Sequence, residues 1–344
     1  KFYKDKNICE SSKKKIFLKW WHWIGDNSSC KEGNIKIPVD ILPKFLNEPV
    51  IISNSEKNKI KCFSNVCTHR GNILVHEKCK SKKIICNYHG RRFDDEGKFE
   101  FMPEFKETIN FPRKSDNLHD FPLFVWHNLI FVGLNPSFSI EKVFEKINER
   151  ISFLPLQNLK LDKKLSKDYS IDANWALYCD NYLEGFHVPF VHKDLNEVLD
   201  YNNYDTEIDE YFNLQIGYAK NKDECFEIPK EHKDFGKNIA AYYYWLFPNL
   251  MLNFYPWGIS INLVCPEGIS KTKILFRSYV FDKSKLNLGA SGDLDKVEME
   301  DEEIVQSVQR GINSSFYSTG RFSPTKEKGV HHFHSLVSKF FNDK

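Results

Sequence analysis

No uninterrupted apolar run long enough to cross a membrane occurs in this sequence; its most hydrophobic stretches are cut by Pro248, Asn249 and Pro256, and no signal-peptide pattern appears. Excess charge of one sign is also missing. The 49 Lys and Arg stand against 47 Asp and Glu for a net charge of +2, which gives no ground for a nucleic-acid partner. There is no internal repeat and no low-complexity linker. Nor does the sequence carry a disulfide framework: its Cys count is nine, an odd number, and Cys9, Cys30, Cys62, Cys79, Cys179, Cys225 and Cys265 show no paired spacing. That usage suits a reducing compartment, so a soluble cytoplasmic protein without a membrane partner is the expectation. What is present is ample core-forming material, 41% hydrophobic residues in 344, enough for two domains.

Two short runs stand out. Cys67-Thr68-His69-Arg70-Gly71 and Cys86-Asn87-Tyr88-His89-Gly90 form a C-x-H pair and a C-x-x-H pair separated by sixteen residues. Two thiolates and two imidazoles at this spacing suit a Rieske [2Fe–2S] centre, in which two Cys hold one iron and two His the other. Zinc also accepts two Cys and two His, but zinc modules usually pair Cys with Cys and His with His. Here each loop supplies one of each, which favours the two-iron cluster. The flanks Ile60–Ser64 and Lys83–Cys86 read as strands, and Arg92–Gly97 as a turn into another. Such a cluster relays single electrons, so the chain either passes them on or contains a second centre that uses them.

The sequence predicts an α+β organisation. Residues 16–135 are rich in aromatic and β-branched runs and turns, and are expected to form an all-β domain carrying the cluster. Asn135-Pro136-Ser137 closes it, and a helix over Ile140–Ile151 leads into residues 136–344. In that second domain an antiparallel set is expected over 239–282, with helices at about 172–187 and 294–318 on either side.

A second metal site is expected in this domain. Non-heme iron that activates O₂ is usually held by two His and one carboxylate, with positions left open. His187 and His192 are five residues apart, a spacing that a continuous helix turns to different faces; Pro189 between them is expected to break the helix and bring His192 back. For the carboxylate, Val297, Asp301, Ile304, Val305, Val308 and Ile312 form one stripe on a helix. An Asp facing a core is costly unless paired or metal-bound, which singles out Asp301. Glu298, Glu302, Glu303, Gln306, Gln309 and Arg310 fall largely off the stripe and read as solvent-facing. Asp180, Glu184 and His187 lie at i, i+4 and i+7, so either Asp180 or Glu184 is placed to orient His187 or to connect it to a cluster histidine.

With both motifs in hand, the chain resembles the catalytic α subunits of Rieske non-heme iron oxygenases over about residues 18–340. Asn174-Trp175 and Asp180–His192 look most like the choline monooxygenase and quaternary-ammonium oxygenase branch, and Met299-Glu300-Asp301 falls where that family has its carboxylate ligand. The resemblance implies a helix-grip-like catalytic domain, a [2Fe–2S] cluster, a mononuclear Fe(II), and hydroxylation of a small organic substrate with O₂. It also implies a separate NAD(P)H-dependent flavin/iron–sulfur reductase or a ferredoxin as electron source. A ring-shaped homotrimer follows from it too, with Glu184 at the position of the acid bridging one subunit's iron to its neighbour's cluster. The sequence departs from the family at Asn87 and Arg91, where Pro and Trp are common. Arg91, Arg92, Lys78, Lys80, Lys82 and Lys83 make the cluster surroundings basic, either as a docking patch for an acidic reductase or as a solvated loop.

Substrate identity is less constrained. The aromatic runs Tyr242–Phe247 and Phe254–Trp257 suit a quaternary-ammonium cage, an aromatic substrate or plain core packing, and strand alternation allows only one of the two faces to line a pocket. His331, His332 and His334 read as packing or surface residues. A quaternary-ammonium or N-methyl substrate is the leading reading. An aromatic acid is the alternative, and a Rieske electron carrier would leave the residues beyond about 135 unexplained.

Overall fold

Antiparallel pairing organises both parts of the chain. The computed structural model describes residues 2–55, 59–286, 290 and 294–342. One compact unit comprises residues 17–141; the other joins 1–16 to 142–344. The boundary therefore falls a few residues beyond the expected 135/136, and the first sixteen residues belong with the C-terminal unit.

In the unit of residues 17–141, Cys79–Lys80, Ile35–Ile41, Glu48–Asn54, Ile60–Ser64 and Asp120–Phe121 form a five-stranded sheet in that order. Two three-stranded sheets complete it, one of Trp21–Asp26, Leu129–Gly133 and Leu123–Trp126, the other of Ile84–Ile85, Arg92–Phe93 and Phe99–Phe101. Ile51, Phe63, Leu74, Val75 and Phe93 pack into one buried cluster with Cys67 and Cys86, so the apolar core lies directly under the two Cys/His loops.

The helices, in chain order, are α1 (Lys6–Lys15), α2 (Ile140–Ile151), α3 (Trp175–Tyr182), α4 (Val188–Val191), α5 (Lys193–Val198), α6 (Leu294–Ile312) and α7 (Lys328–Asn342). In the larger unit a seven-stranded antiparallel sheet runs Lys160–Ile171, Thr272–Val280, Gly258–Pro266, Leu250–Tyr255, Ile239–Leu246, Phe212–Tyr218, Asp205–Ile208. Its central strands are buried on both faces, which explains why they read as continuous apolar runs rather than alternating ones. The expected set at 239–282 is there, and three further strands flank it. Lys160–Ile171 escaped the sequence reading because its burial is slight and its Lys and Asp residues mask the strand pattern.

Helix α3 starts where the Asn174 side chain caps it, Oδ1 accepting from the Ala176 N–H at 3.0 Å. It ends at Tyr182, earlier than expected. Pro189 does not break a helix between the two histidines; it sits in the first turn of α4, where a missing N–H costs nothing. His187 and His192 flank that four-residue helix at its two ends, and the irregular stretch 183–186 makes the actual break.

Candidate metal centres and the cavity between the helices and the sheet

The two Cys/His loops share one geometry. Gly71 donates its N–H to Cys67 O and Gly90 donates to Cys86 O, both at 2.9 Å. Both glycines have φ near +74°, a left-handed conformation that closes each loop tightly and that glycine adopts without strain. The His69 and His89 rings stand 4.9 Å apart. His89 Nδ1 is buried with no hydrogen-bond partner, as a ring nitrogen reserved for a metal would be. The Cys67 and Cys86 thiols are in contact. Burial opposes ionisation of Cys86, but hydrogen bonds from the backbone N–H groups of Tyr88 and His89 and from Asn72 Nδ2 outweigh it and lower its pKa. Burial, with its neighbours His89 and Arg91 acting the same way, lowers the pKa of His69 and favours neutral imidazole. This donor set fits a [2Fe–2S] cluster of the two-Cys, two-His kind.

Arg91 is not part of a docking patch. It is 2% exposed, pairs with Asp116 Oδ1 at 2.6 Å, and its guanidinium lies 4.9 to 5.7 Å from the rings of Phe99, Phe111 and Phe93. It fills, as a planar cation, a place suited to an aromatic ring. Lys83 and Arg92 both pair with Glu100, and Lys80 with Glu32, so much of the surrounding positive charge is locally compensated.

In the other unit, the structure brings His187, His192 and Asp301 together. The two Nε2 atoms are 3.1 Å apart, and Asp301 Oδ1 is 3.0 Å from His192 Nε2 and 3.5 Å from His187 Nε2. Three ligand atoms turned on one point, two of them facing imidazole nitrogens, are what a single ion would hold; the trio is a His₂-carboxylate set that fits Fe(II). Each ligand is fixed from behind. His187 Nδ1 meets Glu184 Oε1 at 2.7 Å, His192 Nδ1 meets Glu300 Oε2 at 2.7 Å, and Asn181 Nδ2 donates to Asp301 Oδ1 at 2.6 Å. Outer carboxylates of this kind set the tautomer and orientation of ligating imidazoles. Burial works against a charged His192, but hydrogen bonds and charge from Asp301 and Glu300 dominate and raise its pKa.

Asp180 does not join this arrangement. It accepts from Tyr3 OH at 2.6 Å and lies 3.0 Å from His334 Nε2, tying the N-terminal segment to α7. Because α3 stops at Tyr182, the expected i, i+4, i+7 face linking Asp180 to Glu184 and His187 does not exist. Glu184 instead caps the turn ahead of α4, accepting from the N–H groups of Phe186 and His187.

The stripe expected on α6 is rotated. Glu298, Val305, Gln309 and Ile312 are buried, while Ile304 and Val308 are exposed. Glu298 and Gln309 are therefore not solvent-facing: Tyr178 OH donates to Glu298 Oε2 at 2.5 Å, and Gln309 Oε1 accepts the Asn174 N–H at 2.8 Å. Burial, reinforced by the neighbouring acids, raises the Glu298 pKa far above the usual carboxylate range. Glu300, to which the sequence reading gave no role of its own, is the His192 partner. A ligating His needs an acceptor for its second nitrogen, and that requirement is the signal that points to an acid beside Asp301.

A cavity of about 110 Å³ opens at the three candidate ligands. Tyr182, Tyr204, Tyr243 and Tyr255 contribute rings to its wall, and the sheet contributes Gln215, Asn253, Ser260 and Asn262. Of the two faces of Ile239–Leu246, the Tyr243 side meets the cavity. Further along that side Trp245 and Phe247 pack on Phe333 of α7, whereas Tyr242 stacks on Phe226. The buried polar residues in apolar strands (Gln215, Asn253, Ser260, Asn262) went unread; a polar side chain amid continuous burial was the signal available.

A cluster-type loop pair in one unit and a His₂-carboxylate set in the other define a Rieske-type non-heme iron oxygenase, an oxidoreductase with a [2Fe–2S] cluster and a mononuclear iron. Residues 159–342 match the family model of the ring hydroxylating alpha subunit (catalytic domain), and residues 21–112 match the Rieske [2Fe-2S] domain. The chain belongs to this family. It is 30% identical to the chloroplastic choline monooxygenase of Arabidopsis thaliana, across 98% of this chain and 81% of that protein. It is 25% identical to the carnitine monooxygenase oxygenase subunit of Escherichia coli (strain K12), across 100% and 93%. In fold it resembles the quaternary ammonium Rieske monooxygenase CntA in complex with L-carnitine, with a TM-score of 0.75 at 21% identity over 98% and 94% of the two chains. Naphthalene 1,2-dioxygenase from Rhodococcus sp. gives 0.77 at 18% identity over 100% and 94%. No helix among the described residues is long and apolar enough to cross a membrane.

Proposed function

We propose that this oxygenase hydroxylates a small quaternary-ammonium or N-methyl compound, with Cys67, His69, Cys86 and His89 holding the cluster and His187, His192 and Asp301 holding the iron. The observation that carries the reading is the ring of tyrosines around a small cavity beside the three iron-ligand candidates. Tyrosine faces attract ammonium groups by about 0.5–2 kcal/mol per contact. Similarity to choline and carnitine monooxygenases supports the same class. When bound, the cluster supplies electrons singly and the ferrous ion, with open positions, activates O₂; with two electrons and two protons one oxygen atom enters a C–H bond and the other leaves as water. An N-methyl carbon hydroxylated this way gives a carbinolamine that sheds formaldehyde, and an alcohol carbon gives an aldehyde hydrate.

The chain's own residues orient and shelter. Glu184 and Glu300 fix the two imidazoles through Nδ1, Asn181 holds one Asp301 oxygen, and the tyrosine wall keeps water from the substrate methyl groups. Glu184 is also the residue we assign to carry a hydrogen-bonded path toward the cluster of a neighbouring subunit in a homotrimer. Electrons come from a separate reductase, which we take to be an NAD(P)H-dependent flavin/iron–sulfur protein or a ferredoxin. We assign the protein to the cytoplasm, on the strength of the seven cysteines besides Cys67 and Cys86, none of which forms a disulfide. The test is coupled NADH and O₂ consumption with product analysis over choline, betaines, carnitine and aromatic acids. Turnover of N-methyl cations is expected; product from aromatic acids alone would refute the assignment.

A further inference from the structure

The sheet wall of the cavity is built on a row of residues paired across four strands. Gln215, Tyr243, Asn253 and Ser260 stand opposite one another in turn, and Asn262 lies two residues beyond Ser260, so all five share one face. All but none of that row is hidden from the cavity: each of the five lines it. Asn253 and Asn262 are diagonal neighbours across the Leu250–Tyr255 and Gly258–Pro266 pair, about 7–8 Å apart, close enough for their amides to reach one bound group.

Hydrogen bonding separates these residues. Gln215 is spent at both ends: Oε1 accepts from Tyr204 OH at 3.2 Å, and Nε2 donates to Tyr182 O at 2.7 Å. Asn253 and Asn262 use only their oxygens. Tyr182 OH donates to Asn253 Oδ1 at 2.5 Å, and Ser260 Oγ donates to Asn262 Oδ1 at 2.9 Å. These two bonds orient both amides, and each Nδ2 is left without a partner among the described residues. The two residues are 4% and 5% exposed, and neither nitrogen is sealed within the core, so the little surface they keep opens on the cavity.

A ligand that fills the cavity strips water from both N–H₂ groups. One that brings no acceptor leaves buried donors unsatisfied, which costs roughly five- to a hundredfold in affinity. One that carries an oxygen at that end makes the bonds instead. Two neighbouring donors suit the two lone pairs of a hydroxyl or the paired oxygens of a carboxylate.

We infer that Asn253 and Asn262 receive an acceptor oxygen of the substrate, and that the site takes an N-methyl compound bearing a hydroxyl or carboxylate rather than a plain alkylammonium. The inference rests on the quaternary-ammonium reading and deepens it: tyrosine faces hold the cation, and the amide pair holds the oxygen.

The test is anaerobic titration calorimetry on the iron-loaded holoenzyme with choline, glycine betaine, ethyltrimethylammonium (the choline cation without its oxygen) and benzoate. Wild type is expected to bind choline or glycine betaine at least about fivefold more tightly than ethyltrimethylammonium. In Asn253→Leu and Asn262→Leu, the affinity for the oxygen-bearing ligand falls, by about fivefold for a hydroxyl and about tenfold or more for a carboxylate, so the size of the loss tells the two apart. Ethyltrimethylammonium changes by less than about twofold in both variants, and the cluster's visible spectrum is unaltered. Asn253→Asp keeps the acceptor for Tyr182 OH while removing the donor, and is expected to weaken glycine betaine more than Asn253→Leu does. Equal losses for all three cations would make the amides structural and overturn the assignment, as would unchanged affinities in both Leu variants. Ethyltrimethylammonium bound by wild type as tightly as choline and glycine betaine would overturn it while leaving the N-methyl reading intact. Binding of benzoate alone would overturn both.

Discussion

Removing the Glu300 carboxylate tests whether the iron site is built as a unit. His192 is the more enclosed of the two imidazoles, with 1% of its side chain exposed, and its Nδ1 meets Glu300 Oε2 at 2.7 Å while its Nε2 turns toward Asp301. Glu300→Ala deletes that acceptor, so the ring loses both its preferred tautomer and its angular restraint. Loss of an outer partner of this kind typically costs about 10–100-fold in metal affinity, or about 1.4–2.7 kcal/mol at 1.36 kcal/mol per decade. Glu300 keeps 29% of its side chain exposed, so water replaces part of the lost bond and the lower half of that range is expected. Glu300→Gln keeps a carbonyl acceptor at the same reach and is expected to cost less than tenfold. Competition between the protein and an Fe(II) chelator measures the affinity. The cluster's absorbance and reduced-state EPR signal, which belong to the other unit, should not change. Iron held as tightly in Glu300→Ala as in wild type would refute the orienting role. A Gln variant as weak as the Ala variant would show that charge rather than geometry matters.

Two stability predictions follow from buried ion pairs elsewhere. Arg91→Ala strips Asp116 of its guanidinium and empties a space among Phe93, Phe99 and Phe111, so a loss of about 3–5 kcal/mol is expected, read as an earlier thermal transition of cluster absorbance. An unchanged midpoint would mean that the pair contributes nothing. Asp234 is buried; burial alone would raise its pKa, but Lys237, Arg150 and Tyr242 overcome that and hold its carboxyl below the usual range. Its folded value lies under the unfolded one, so the stability it contributes is present above about pH 4 and is lost as pH falls through the folded value. Asp234→Asn should therefore unfold earlier at neutral pH and show a flatter decline in acid, as followed by denaturant titration. An equally steep acid decline in the variant would remove Asp234 as its source.

The candidate metal ligands were legible because their logic is local. Both cluster loops complete a Cys, a His and a closing Gly within five residues, and His187 and His192 lie in one short stretch. Asp301 emerged from helical periodicity even though the stripe used to find it was rotated. Ile304 and Val308 face outward and Glu298 and Gln309 inward, against the rule that apolar residues turn in. The rule fails here because α6 packs on α3 partly through polar rungs: Tyr178 to Glu298 and Asn181 to Asp301, each pair offset by three residues along both helices. Those partners are 120 residues apart in the chain, and no local pattern announces them. Glu300 and the cavity's amides were hidden for the same reason, and the aromatic strand offered two faces until α7 covered part of one.

The acidic richness of α6 is explained one residue at a time. Asp295 takes the Tyr169 hydroxyl and Lys167, Glu298 takes Tyr178, Glu300 takes His192, and Asp301 takes Asn181 while facing both imidazoles. A helix read from sequence as one wet acidic face is thus three successive turns of carboxylates, most of them matched to a different donor. Two oxygens are left without a donor, Glu298 Oε1 beside the cavity and Glu302 Oε1. A buried acceptor without a donor destabilises the fold by about 1–3 kcal/mol. Burial raises the pKa of both residues, and the neutral carboxylic acid it favours lowers the cost of keeping those oxygens out of water.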